Sequence, residues 1–382
     1  MKKKILFVND EMMVGGVSKV LNNLLALLDK NKFDIDLLIL HYHGDMIKEI
    51  PNGINVIRGT AFFNVCDTPI SDLLKDHRFI LLIKKICLFF SIKTGLITYL
   101  IRHQRNKMHI EDYDAEIAFK EGFCTLFVAS GDCPNKINWI HADYKVKNYA
   151  ANYMATMKKC LSKIDHNIAV SQVAANSFQE VFSLTEKVQT IHNIIKYEDI
   201  INKSAEMVDF RDDKLTFVSV GRLHPQKAYD RLINVCSRLK KEGYLFKLYI
   251  IGDGEQKESL MQQIADTNLA NTVILLGQQS NPFKYLKQAD CFVLSSIYEG
   301  MPTVVFESLI LHVPVISTKV AGIEEQLNDH IGMIVDNSFD GLYDGLKHIL
   351  DEPLILKKYQ DNLFDYHYDN QKILNEVENL FD

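Results

Sequence analysis

Along the chain, short unbroken runs of Val, Ile, Leu and Phe alternate with longer stretches whose apolar residues recur every three to four positions. The first half carries KILFV, IDLLIL, AEIAF, KINWI and HNIAV; the second carries LTFVSV, FKLYII, TVILL, CFVLS and VPVIS. A run that is apolar at consecutive positions suits a strand covered on both faces, and the helical period after most of them suits the crossover between parallel strands. The pattern therefore predicts an α/β chain with two parallel sheets. Between residues 194 and 213, IIKYEDIINKSAEMVDFRDD breaks the rhythm with charge, which sets the expected boundary there.

Residues 75–107, KDHRFILLIKKICLFFSIKTGLITYLIRHQRNK, depart from the scheme, with eight Lys/Arg, one acid and apolar stretches between. A membrane-spanning helix needs about 20 predominantly apolar residues, and Lys84, Lys85 and Lys93 interrupt this one. Two readings stand. One is an interfacial helix with apolar side chains at the acyl boundary and basic ones among anionic headgroups. The other is a buried helical hairpin with a solvated basic edge.

Length and charge narrow the class. A chain of 382 residues, 47% hydrophobic, is enough for two domains. The net charge of -6 conceals an asymmetry: residues 1–195 hold 24 Lys+Arg against 20 Asp+Glu, and the remainder 19 against 29. A basic first half suits an anionic surface or partner, and an acidic second half argues against a nucleic-acid binder. The seven cysteines, Cys66 among them, are odd in number and form no C-x-x-C pair. That usage suits a reducing cytoplasm and neither a zinc site nor a disulfide frame. The apolar run of MKKKILFVND stops at Asn9, too early for a signal peptide.

Candidate chemistry sits at strand ends. Gly15-Gly16 follows the first strand and opens a periodic helix, which permits either a tight turn or a phosphate on the helix N-terminus. No G-x-G-x-x-G or G-x-x-x-x-G-K-[ST] occurs. In LTFVSVGRLHPQK, a strand ends at Gly221 and brings Arg222 and Lys227, two cations able to clamp a diphosphate. Gly252-Asp253-Gly254 repeats the strand-to-glycine pattern, as a turn or a second ligand approach. In EGMPTVVFE, Glu299 leaves a strand, Pro302 suits the first helical position, and Glu307 follows about ten ångströms along the helix. Carboxylates accept from vicinal hydroxyls, and the amides of Gly300, Met301 and Thr303 face an anion. The pairs Asp34/Asp36 and Asp112/Asp114 form D-x-D spacings expected to lie ahead of strands, so no metal site is expected from them.

Taken together and in order, Gly15-Gly16, GRLHPQK, GDG and EGMPTVVFE resemble family 4 retaining glycosyltransferases of the GT-B fold, over nearly the whole chain. The resemblance implies two Rossmann-like parallel-sheet domains facing an interdomain cleft. It sets domains at 1–195 and 196–360, with a C-terminal helix in 361–382 packing back on the first domain. Glu307 would hold nucleotide ribose hydroxyls, Glu299 donor-sugar hydroxyls, and Arg222 and Lys227 the diphosphate. Gly16 would add an amide from the opposite domain, Gly15, Gly221, Gly252 and Gly254 would allow close approach, His141 would join Glu299, Arg222 and Lys227 in the catalytic set, facing donor sugar and acceptor, and Glu121 would sit near the acceptor. Pro302 stands where many relatives have a second Gly, and Asn193-Ile194 where Asn-Gly is usual. The implied reaction carries a sugar from a nucleotide donor, UDP by preference, to a glycan or lipid-linked glycan at the inner face of the plasma membrane, with retention and no cofactor or metal. Two alternatives use the same scaffold: a sugar-nucleotide epimerase or hydrolase, and a non-catalytic nucleotide-sugar-binding subunit.

Overall fold

The computed structural model describes residues 1–64, 79–110, 112–145 and 151–381, with 151 and 152 described by backbone alone. Cys66 and residues 75–78 of the basic segment lie outside these. The chain forms two compact units, Met1–Ile194 with Asn370–Asp382, and Ile195–Asp369.

In the first unit the strands are β1 (Lys3–Asn9), β2 (Phe33–Ile39), β3 (Asn55–Arg58), β4 (Ala115–Ala118), β5 (Lys136–Ile140), β6 (His166–Ala169) and β7 (Gln189–Thr190). Among the described residues they order β3-β2-β1-β4-β5-β6-β7, and all neighbours run parallel. The helices are α1 (Gly16–Leu27), α2 (Phe79–Thr94), α3 (Ile97–Lys107), α4 (Phe123–Ala129), α5 (Ala151–Leu161) and α6 (Gln172–Phe182). Ile5, Leu6, Phe7 and Val8 of β1 are wholly buried, as a central parallel strand requires.

The second unit holds α7 (Tyr197–Ser204), β8 (Leu215–Val220), α8 (Tyr229–Lys241), β9 (Phe246–Ile251), α9 (Lys257–Asp266), β10 (Val273–Gly277), α10 (Phe283–Leu286), β11 (Cys291–Leu294), α11 (Thr303–Ile310), β12 (Val315–Thr318), β13 (Gly332–Val335), α12 (Phe339–Asp351) and α13 (Leu354–Asn362). Its described strands order β10-β9-β8-β11-β12-β13, again parallel throughout. Two parallel-sheet domains of this kind make the GT-B fold. In each sheet the strand order reverses once, between β1 and β4 and between β8 and β11. Ligands of open α/β sheets bind beyond the carboxyl ends of strands at such a reversal.

The ten apolar runs all form strands, but β3, β7 and β13 escaped the pattern. All three are edge strands, covered less completely and so free of the continuous apolar run that marks a central strand. The charged stretch 194–213 contains α7, which packs on α10 and α11 within the second unit. Residues 361–369 stay with that unit as well, with the Tyr368 ring 4.5 Å from that of Phe306. The last helix, α14 (Asn370–Asn379), returns to the first unit. There Lys3 Nζ donates to the Phe381 carbonyl at 2.8 Å, and the Phe381 ring meets Phe33 edge-on at 5.2 Å.

Cysteine environments differ sharply. Cys87 is exposed on α2, whereas Cys124, Cys160, Cys236 and Cys291 are buried. Burial pushes the Cys236 thiol up to about 12 and, with smaller opposing contributions, Cys133 up to about 11. A thiol reagent needs thiolate and access. Peptide mapping after brief labelling of the native protein is expected to find Cys87 modified before these four; equal labelling of Cys236 would contradict the fold.

Candidate functional site

The expected site residues fall into two sets, one on each unit. In the second unit they gather at the β8/β11 reversal. The chain leaves β8 at Gly221, exposes Arg222, buries Leu223 and makes a 3-10 turn over Pro225–Lys227 before α8. This turn carries Lys227 across to the loop after β11, where its Nζ lies 2.6 Å from Glu299 Oε1. The two side chains are 17% and 11% exposed, a partly buried ion pair. Ser296 Oγ donates to the same Glu299 oxygen at 2.7 Å, and Gln226 Nε2 approaches Oε2 at 3.3 Å while donating to the Tyr298 carbonyl at 2.8 Å. Burial pulls the Lys227 ammonium down, but the Glu299 carboxylate, seconded by the Tyr229 phenol, outweighs it and holds the group above the ordinary lysine value.

The loop that presents Glu299 is braced on both sides. Arg231 Nη2 of α8 donates to the Ser295 carbonyl at 2.6 Å and to Asn337 Oδ1 at 2.9 Å. Asn337 Nδ2 donates to the Ile297 carbonyl, and Thr318 Oγ1 to that of Ser296. Ser295 Oγ closes the circuit on the Lys227 carbonyl at 2.7 Å. Side chains held this way reach a ligand with little reorganisation.

Glycines make room for the turn. A Cβ on Gly221 would lie 2.8 Å from the Tyr229 hydroxyl and 3.0 Å from Lys227 Cε, so the lysine stem passes where any larger residue would stand. Gly252, at φ +152°, sits with its Cβ position 1.9 Å from the Gly221 carbonyl oxygen, and that of Gly254 is 2.4 Å from the Leu223 carbonyl oxygen. The GDG loop thus lies backbone-on-backbone against Gly221–Leu223, which accounts for its glycines by packing within the chain. Pro302 precedes α11 as its cap, and Thr303 is the first helical residue, so the expected place of Pro302 moves by one position. Gln326 Nε2 donates to the Pro302 carbonyl at 3.0 Å, and Met301 is buried. Glu307 lies on the buried side of α11, 4% exposed.

In the first unit, three loops meet near the β1/β4 reversal. Asp10, after β1, accepts from Lys120 Nζ, after β4, at 2.5 Å. Burial pulls the Lys120 ammonium down, and Asp10 more than restores it. Glu121 Oε2 accepts the His141 backbone N–H, after β5, at 3.0 Å, so the two expected acceptor-side residues are brought together. The His141 ring lies 5.1 Å from that of Phe119. Gly15 and Gly16 open α1 with nothing within 4 Å of a Cβ built on either, so internal packing does not require glycine there.

One carboxylate of each D-x-D spacing, Asp36 and Asp114, serves the sheet. Asp34 and Asp36 lie inside β2, which corrects the expectation that they precede a strand; the run of β2 starts at Phe33 and tolerates them on its less buried face. Asp36 accepts from Asn55 and Tyr113, and Asp114 accepts the Lys4 N–H at 2.7 Å.

Sequence reasoning did not single out Gln226, Ser296, Arg231, Asn337, Asp10 or Lys120. Lys120 and Ser296 carried a signal, since each directly follows a strand-like run, and Asp10 stands one residue further on.

Residues 201–366 match the family model of glycosyl transferases group 1. Over 357 residues, 91% of this chain and 90% of the relative, the protein is 28% identical to an N-acetylgalactosamine-N,N'-diacetylbacillosaminyl-diphospho-undecaprenol 4-alpha-N-acetylgalactosaminyltransferase of Campylobacter jejuni. It is 39% identical over 150 residues to an uncharacterized glycosyltransferase of Methanocaldococcus jannaschii, a match to 38% of this chain and only 37% of that protein's length. Among solved structures, Anabaena Alr3699/HepE in complex with UDP superposes over 98% of each chain with a TM-score of 0.72 at 15% identity, a likeness of fold.

Proposed function

We propose that this protein is a retaining glycosyltransferase that moves a sugar from a nucleoside-diphosphate donor, a UDP-sugar by preference, to a glycan or lipid-linked glycan in cell-surface polysaccharide synthesis. The observation that carries the reading is the Lys227–Glu299 pair at the β8/β11 reversal. Transfer from such a donor needs cationic charge on the departing diphosphate and a hydrogen-bond acceptor on the sugar. Lys227 has three donor hydrogens and gives one to Glu299, leaving others for phosphate oxygens. The exposed Arg222 adds a guanidinium suited to bidentate phosphate contact. A carboxylate offers about four lone-pair sites; Glu299 uses three, on Lys227, Ser296 and Gln226, and keeps capacity for a sugar hydroxyl.

Glu307 takes the ribose hydroxyls on this reading, and the amides of Gly300, Met301 and Thr303 serve phosphate or sugar. On the first unit, Glu121 and His141 belong to the acceptor side, and the open backbone of Gly15-Gly16 suits an anion. The departing phosphate accepts the proton of the attacking hydroxyl, so charge stabilisation matters more than a dedicated base. Lys227 and Arg222 supply that charge, and chelation with EDTA is expected to leave the rate unchanged. The name of the Campylobacter relative supports a lipid-linked acceptor, and the UDP in the HepE complex supports the nucleotide.

Incubation with UDP-, GDP- and ADP-sugars, with and without membrane lipid extract, tests the reading. Release of nucleoside diphosphate that depends on the extract is expected. Release without acceptor would favour a hydrolase, and binding without release a non-catalytic subunit. Hydrogen bonds to a charged group contribute about 1.5–3 kcal/mol, so Glu307→Ala is expected to weaken nucleotide binding at least about tenfold, while Glu299→Ala mainly lowers turnover. Wild-type behaviour of both variants would remove the assignment.

A further inference from the structure

The α2 helix is apolar on both sides: Leu88 and the half-buried Ile92 pack on the core of the first unit, and a second apolar face turns outward. Ile83, Ile86 and Phe90, one above another at helical spacing, are 60%, 47% and 59% exposed. Ile80 and Phe89 flank them at 73% and 56% exposure. On the inward side Leu88 and Ser91 are buried and Leu81 and Ile92 half-buried. Past the turn at Gly95 the exposed apolar surface continues through Leu96 and Tyr99, at 59% and 71%. Soluble monomers rarely expose a contiguous apolar patch of more than a few hundred Å². Burial describes α3, with Ile97 and Ile101 in the core, and the Leu88 side of α2, whereas the outward residues of α2 meet water.

Charge identifies what covers them. Between Phe79 and Ile110 the sequence has no Asp or Glu; Arg105 is engaged by the buried Glu116 and Arg102 by Asp132, and the outward charge is that of lysines such as Lys84 and Lys93. Lys84 and Lys93 are exposed on the same helix as the apolar stripe. At the C-terminal end of α2, Lys93, Lys159 and Lys163 line a cavity of about 390 Å³ together with the hydroxyl-bearing Thr94, Thr98 and Thr156. A hydrophobic stripe accompanied by lysines, with a cationic hollow at its end, matches acyl chains under a layer of phosphate headgroups. A protein partner would have to bring acids placed to meet these lysines, whereas an anionic bilayer offers phosphates all along the stripe.

We infer that the outward face of α2, continued through Leu96 and Tyr99, docks on an anionic lipid bilayer. Ile83, Ile86 and Phe90 enter the acyl boundary, and Lys84, Lys93 and the lysines of the cavity rest among headgroup phosphates. The helix lies in the interface plane; no helix among the described residues is long and apolar enough to cross a membrane. The inference stands on exposure and charge, and does not require the transfer reading.

Sedimentation of the full chain with vesicles tests it. At 0.15 M NaCl the protein is expected to pellet with phosphatidylcholine vesicles containing 30% phosphatidylglycerol and to remain largely in solution with phosphatidylcholine alone. Each basic residue near such a surface contributes about fivefold in partitioning, so Lys84→Glu with Lys93→Glu should reduce binding more than tenfold, as should Ile83→Glu with Phe90→Glu. All four positions are exposed, and unchanged circular dichroism and melting would show that the variants fold. Labelling of Cys87, exposed on the same helix, should slow several-fold when anionic vesicles are present. The inference falls if anionic and neutral vesicles bind alike, if the variants pellet as well as wild type, or if light scattering shows a dimer that the same variants dissolve without vesicle binding.

Discussion

Lys227→Ala is expected to lower kcat about 10²–10³-fold, the usual loss when one preorganised charge is removed from a developing oxyanion. The substitution has two consequences of different kind. It removes the cation proposed to meet the departing phosphate, and it leaves Glu299, 11% exposed, with only Ser296 and Gln226. Because the two side chains form one unit, the double variant Lys227→Ala, Glu299→Ala should be little slower than the worse single variant. Independent contributions would instead multiply. The pH profile separates this role from that of a titrating base. The Lys227 pKa is raised on folding, so the interaction is complete below the ordinary lysine value of 10.5 and is lost only as pH climbs through the higher folded one. Turnover between about pH 6 and pH 9 should therefore show no inflection from this group. Steady-state kinetics of the single and double variants decide the matter, and a Lys227→Ala enzyme with wild-type kcat would sink the proposal.

The largest effect on stability belongs to the first unit. Arg105 of α3 and Glu116 of β4 form a bidentate pair, Nη2 to Oε1 at 2.5 Å and Nη1 to Oε2 at 3.0 Å, with side chains 5% and 2% exposed. The guanidinium also donates to the Phe127 carbonyl and lies over the Phe127 ring at 4.7 Å. Removing one partner of a buried pair costs about 3–5 kcal/mol, because the other charge stays buried without compensation. Glu116→Ala is expected to lower the melting temperature of this unit by roughly 10 °C. Replacing both residues by apolar ones of similar volume, Arg105→Met with Glu116→Leu, should recover most of the loss. Differential scanning calorimetry reads both, and a Glu116→Ala transition within a degree or two of wild type would show the pair to be dispensable. The pair also anchors α3, and through it the hairpin that carries the outward face of α2; hydrogen exchange over residues 79–107 should accelerate in Glu116→Ala before that of β1.

The central strands could be read from the chain because burial on both faces forces an unbroken apolar run, as in ILFV of β1 and CFVL of β11. Edge strands meet no such demand, which is why NVIR, QT and GMIV passed unnoticed. The candidate site was legible in part. Gly221, Arg222, Lys227, Glu299 and Glu307 stand out because GRLHPQK and EGMPTVVFE occur together and in the order of the family they resemble; Glu307 alone reads as an ordinary helical surface residue. Their supports were not. Ser296, Gln226, Arg231 and Asn337 are residue types with no chemistry of their own to mark them, and only the folded loop turns them toward Glu299 and its backbone.

By itself the sequence determined the α/β class, the positions of the interior strands, and the residue types able to meet a phosphate or a sugar, since each of these follows from neighbours close along the chain. The tertiary structure alone decided which of them meet. Lys227 and Glu299, 72 residues apart, become partners because β8 and β11 lie side by side at the strand-order reversal, and Asp10 and Lys120, 110 apart, because β1 and β4 do. It also decided which way α2 faces. A helix's apolar stripe is visible in its spacing, but whether a core or the surroundings receives it depends on what the rest of the chain places beside it.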